Sequence, residues 1–327
     1  MNQESTQKIK LLPRHFFQEI LLIFTANIIL SGLFINQLCA QSLDLAVNNY
    51  GVSFGNSKNF NGLRINFSDR EVEKINGVNV TFWRAKNNME AVVNGVSLGL
   101  LRPEAAYLNG IQIGGLGVGA AKGIKGISAG IIGARSGDSI SGITLGGLGS
   151  YSIKNITGIT IGGLGAIAIG NINGITISGL GTIATENITG ITISGIGTAA
   201  GGNITGLTLA LLGAGANGNI TGVTFGGLGV GRASKIKGIT IGGFETSAHD
   251  IIGVALSLAN VRVYDNGSLT GFSASAFNLI KGRQTGVSLG IFNYAYKLNG
   301  IQVGLLNYVR ENPKYLRILP VINANFD

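Results

Sequence analysis

Few residues in this chain are of types that do covalent chemistry. Its 327 residues include two histidines and one cysteine. His15 lies in a stretch of export character, which leaves His249 beside Asp250. No nucleophile or second base is spaced around that pair, so a surface turn accounts for it better than a catalytic site. Gly115-Leu116-Gly117-Val118-Gly119 matches the opening of a dinucleotide fingerprint. That fingerprint needs a strand before it, a helix after it and an acid ~20 residues on, and no helical stretch follows here. The lone Cys39 excludes an intrachain disulfide framework and a CxxC metal site. No catalytic residue, cofactor site or metal site is expected, and the chain reads as a non-enzyme.

What does recur is a set of amides and hydroxyls. Asn155-Ile156-Thr157, Asn187-Ile188-Thr189, Asn203-Ile204-Thr205 and Asn219-Ile220-Thr221 have the form of glycosylation sequons. Repetition explains them without sugar, and asparagines stacked at one corner could form a hydrogen-bonded ladder. A second series is Thr144, Thr160, Thr176, Thr192, Thr208, Thr224 and Thr240. On a stacked β-array these would make a straight file at ~4.8 Å spacing, joined by Thr157, Thr189, Thr205 and Thr221. The expectation is that the file points outward as an interaction surface, for a glycan or, in a minor reading, for ordered water and ice.

These series repeat because the chain does. A glycine preceded two positions earlier by an apolar residue, and followed by apolar-x-apolar, recurs from Gly62 to Gly300. Between Gly110 and Gly238 it returns every 16 residues. One unit reads Ile156-Thr157-Gly158-Ile159-Thr160-Ile161-Gly162-Gly163-Leu164-Gly165. Counting from the key glycine, β-branched residues at offsets +1 to +3 alternate apolar-polar-apolar, a strand signal. The small pair at +4/+5 breaks the alternation and predicts a corner. Offset +7 is glycine in the central units (Gly117, Gly149, Gly165, Gly181) and asparagine in late ones (Asn260, Asn278, Asn293, Asn307). Those two residue types share the left-handed region, which predicts positive φ at +7. Alanines at +10 (Ala168, Ala184, Ala200, Ala216) are expected to face the large +1 and +3 side chains across a thin core.

The fold class is therefore all-β, and composition agrees. Glycine supplies 54 residues and proline 4, with 45% hydrophobic residues and a mean hydropathy of +0.37. Those numbers exclude collagen, a flexible polar linker and an ordinary helical domain. Two architectures satisfy the repeat. The preferred one is a β-solenoid, each coil burying its apolar residues only by stacking on its neighbours. The alternative is a 16-strand outer-membrane meander barrel. The alternating end Leu316, Ile318, Pro320, Ile322, Ala324, Phe326 favours the barrel, whereas the absence of a polar lumen face and of aromatic girdles in the central units opposes it.

Four segments are expected. Residues 1–40 read as a signal peptide, with a basic start (Lys8, Lys10, Arg14), an apolar stretch and a cleavage site after Ala40. Retention as a membrane anchor is the alternative. Residues 41–109 and 254–327 are irregular, more aromatic repeats of capping character, flanking regular repeats over 110–253. The net charge of +9 suggests anionic surfaces. It forms no basic stripe, so nucleic acid is not expected as a partner.

Asn109-Gly110-Ile111-Gln112-Ile113-Gly114, Asn299-Gly300-Ile301-Gln302-Val303-Gly304 and the ending Asn312-Pro313-Lys314-Tyr315-Leu316-Arg317-Ile318-Leu319-Pro320 carry a resemblance. They are similar to the bacterial surface repeat-containing proteins known from leptospires and Bacteroidota. That resemblance implies an exported protein of the cell surface or outer membrane, with no settled activity. The expected role is a structural or interaction module whose partners are envelope components, glycans or other copies of itself.

Overall fold

The computed structural model describes residues 42–326. The signal-peptide, cleavage and anchor expectations, with Cys39 and His15, lie outside the described residues. The chain is a β-solenoid. Strand Ile156–Gly162 pairs in parallel with Ser139–Gly146 on one side and Ile172–Ser178 on the other. Gly158 stands opposite Gly142 and Gly174. The same register, key glycine on key glycine, carries through to Gly286 on Gly300. A second parallel stack runs beside the first through Gly149–Ser152, Gly165–Ala168 and Gly181–Ala184. Each central coil thus has a long strand, a corner at offsets +5/+6, a short strand over +7 to +10, and a turn. This is the two-strand coil that the sequence predicts, with the corner one residue later than the expected +4/+5, and parallel pairing of adjacent units excludes the meander barrel.

The parallel stack is continuous from Tyr50 to Val303, so the irregular flanks belong to the same rod as the regular repeats. Antiparallel strands close it at both ends. Ser42–Val47 pairs with Tyr50–Gly55, and Ile318–Asn325 pairs with Phe292–Val309. At ~4.8 Å per coil the stack is roughly 75 Å long.

The arrangement of side chains corrects the expected one. Ile156, Ile172, Ile188, Ile204, Ile220 and Ile236, at offset −2, are buried. Ala168, Ala184, Ala200 and Ala216 at +10 face them. The threonines at +2 share the inner face with these isoleucines, because −2, 0 and +2 lie on one side of a strand. All seven, Thr144 to Thr240, are at most 2% exposed. The large residues at +1 and +3 point outward instead. The outward threonine file at +2 is therefore overturned, and with it the paired hydroxyl array of the ice-binding reading, although Thr157, Thr189 and Thr205 at −1 do face outward.

The positive φ also sits elsewhere than expected. Gly158, Gly174 and Gly190 at offset 0 have φ of 113°, 115° and 118°, whereas Gly117, Gly149, Gly165 and Gly181 at +7 do not have positive φ. A Cβ on Gly174 would also collide with the carbonyl oxygen of Gly158 in the coil below. Asn260, Asn278, Asn293 and Asn307 lack positive φ too. Asn278 pairs in register with Asn293, and both point into the core. The coil arc shortens before them, which moves them onto the inner row. There Asn278 Nδ2 donates to Asn293 Oδ1 at 2.7 Å, and Asn293 Nδ2 donates to Asn307 Oδ1 at 2.7 Å.

Candidate interaction surface

The sequence elements with chemical character fall into an inner set and an outer set. The inner set is structural. Offset +2 is a continuous buried row that begins Ser53, Arg64, Asn79, Ser97, Gln112, Ser128 and then enters the threonines. Its one charge is neutralised locally. Arg64 donates to Asp69 and to Asn79 at 2.6 Å each, and Asn79 donates back to Asp69 at 2.8 Å. Ser128 donates to Thr144 at 3.1 Å, while the Thr224 hydroxyl is buried without a partner among the described residues.

The corner amides do form the expected ladder. Asn155 Oδ1 accepts from the backbone N–H of Asn171 at 2.9 Å, and Asn171 Oδ1 accepts from that of Asn187 at 3.0 Å. The contact continues from Asn203 N–H to Asn187 Oδ1 at 2.8 Å and from Asn219 N–H to Asn203 Oδ1 at 2.7 Å. Each side chain thus supplies an acceptor to a turn amide one coil further on, a structural use of the sequon-like asparagines.

His249 and Asp250 lie at the surface edge of a coil, with Nδ1 and Oδ2 3.3 Å apart. Burial works against ionisation of Asp250. The Ser268 hydroxyl and His249, then the Ser268 backbone N–H, outweigh it and hold the carboxyl below its ordinary pKa. The pair ties neighbouring coils together. Gly115–Gly119 runs from the corner after strand Glu104–Gly114 into strand Gly117–Gly130, and no helix follows it. Among the described residues no three His, Cys, Asp or Glu side chains gather as metal ligands.

The outer set is apolar, and the sequence reading missed it. On the long-strand sheet, Ile143, Ile159, Ile175 and Ile191 at +1 stand beside Leu145, Ile161, Ile177 and Ile193 at +3. Each is 37–43% exposed, against 1% for Ile156 on the inner face. The rows extend from Ile111 to Ile239 at ~4.8 Å per coil, roughly 40 Å. A signal for this was present. Ile156, Gly158 and Thr160 must share one face, and the alanines at +10 leave room opposite them only for a medium-sized row.

The short-strand sheet carries a different surface. Leu148, Leu164, Leu180 and Ile196 at +6 form one ridge, and Ile167 and Ile183 stand at +9. Glycines at +7 lie between, and the resulting groove encloses about 1070 Å³. Comparison of the chain with protein-family models, with curated proteins and with solved structures finds no match.

Proposed function

We propose that the protein is a non-enzymatic, exported repeat protein of the cell surface or outer membrane, working as a structural and interaction module. The observation that supports this reading is the outward isoleucine face. Soluble monomers rarely present contiguous apolar patches beyond a few hundred Å² unless a partner covers them. Here rows +1 and +3, spaced ~7 Å apart over roughly 40 Å, make an apolar face on the order of 550 Å², bordered by the polar row at −1 that includes Thr157, Asn173 and Thr189. With its polar border the face approaches the ~800 Å² one partner contributes to a standard protein interface. Identical residues in register at coil spacing fit a second copy of the same rows, since like rows interdigitate. Other envelope components are the alternative partners. The leader-like residues 1–40 and the resemblance to bacterial surface repeat proteins support the location.

Sedimentation of the mature chain without detergent, together with an Ile175→Lys/Ile191→Lys variant, tests the reading. Self-association that the variant abolishes, with unchanged far-UV circular dichroism, is expected. A wild-type chain that stays monomeric at high concentration and binds no envelope fraction through this face would overturn it.

A further inference from the structure

The groove on the short-strand sheet has a direction. Its +9 row runs, coil by coil and in parallel register, Gly119, Arg135, Tyr151, Ile167, Ile183, Ala199, Gly215. One end is cationic, and beyond Tyr151 the row is apolar as far as Gly215, where Arg232 and Glu245 line the continuing surface. Arg102 lies against Gly119, its Nε 3.3 Å from where a Cβ on that glycine would fall. Arg84, Arg102 and Arg135 line the groove, and no acidic residue does. Glu104, close by, pairs with Arg102 and lies 3.6 Å from Arg84. Arg84 and Arg102 thus share one carboxylate, and Arg135 has no ion-pair contact to it. Arg135 lies over the Tyr151 ring at 5.8 Å, and the Arg102 Nε is buried with no partner among the described residues. Three arginines against one glutamate leave this end of the groove net positive, and burial, then the charges of Arg84 and Arg135, lower the pKa of Arg102.

Beyond Tyr151 the trench is floored by Gly165, Gly181, Gly197 and Gly213 and walled by leucine and isoleucine. From Arg135 to Gly215 is five coils, roughly 24 Å at ~4.8 Å each. The missing side chains at +7 leave a straight slot between the +6 ridge and the +9 row, with room for an alkyl chain. A straight apolar slot with cations at one end is complementary to a single-tailed anion.

We propose that this groove binds a free long-chain fatty carboxylate, its head on Arg102 and Arg135 and its extended tail along the glycine floor toward Gly213. The site lies on the sheet that does not carry the isoleucine face, so it stands or falls independently of the interaction reading.

Titration calorimetry of the full mature chain with monomeric palmitate tests the site, followed by a chain-length series down to decanoate. Affinity is expected to rise about fourfold per methylene. Arg102→Gln/Arg135→Gln should weaken palmitate at least tenfold, with Arg135→Lys largely preserving binding. Ile183→Asp, an exposed wall position that leaves the core intact, should abolish the chain-length dependence. Ile175→Lys on the other sheet should change nothing. Affinity independent of chain length would overturn the proposal, as would equal binding of an alkyltrimethylammonium of the same length. Binding to anionic phospholipid vesicles without binding of monomeric palmitate would overturn it too.

Discussion

The key glycine does two jobs at one atom. Its φ near 115° lies where an L-side chain is strained, and its missing Cβ lets the carbonyl of the glycine below approach. Gly174→Ala is therefore expected to destabilise the fold by about 3 kcal/mol, since strain and collision add. Chemical denaturation of the variant against the wild type measures it. The buried threonine row makes an opposite forecast. The unpartnered Thr224 hydroxyl costs roughly 1–3 kcal/mol where it is. Thr224→Val, nearly the same shape, should leave stability unchanged or raise it by about 1 kcal/mol, read as a higher denaturation midpoint. An outward threonine would show no gain. Which glycine needed positive φ was not legible in residue type, because glycine stands at both 0 and +7. The difference lies in how closely stacked backbones approach, which a single unit's sequence does not contain.

At the scale of the coil, the strands and corners were legible and the orientation was not. Alternation over +1 to +3 and the small pair at +4/+5 are local chemistry, and they mark the strand and its end. Both faces of that strand are apolar enough to be buried, however. The reading placed the bulkier pair, +1 and +3, inside. The core is instead set by Ile156 and its equivalents against the alanines at +10, a gap too thin for two large rows. The asparagine corner was legible because its requirement is local: a turn amide needs an acceptor. Asn187→Ala removes the acceptor used by the Asn203 N–H and the donor given to Asn171. A loss of about 1–3 kcal/mol is expected. Faster amide hydrogen exchange should be confined to the 186–203 turns, since coils contact only their neighbours.

For the whole molecule, this orientation means that the core is small and partly polar while the exterior carries rows of isoleucine and leucine. A chain with 12% charged residues cannot cover such a rod with charge. Two surfaces follow, a broad isoleucine sheet and a narrow arginine-ended groove, and both depend on the +1, +3, +6 and +9 rows facing out. Neither surface was visible in the composition. Register between coils creates them, placing Arg135, Tyr151 and Ile167 in one line from residues 16 apart in sequence. Thiol labelling tests this most directly. Residues 41–327 contain no cysteine, so in a Cys39→Ser chain Ile175→Cys and Thr176→Cys each supply a single probe. In dilute folded protein, Ile175→Cys should react rapidly and become protected as concentration rises. Thr176→Cys should stay protected until the chain unfolds. Rapid labelling of Thr176→Cys in the folded protein, with Ile175→Cys protected at every concentration, would contradict the account.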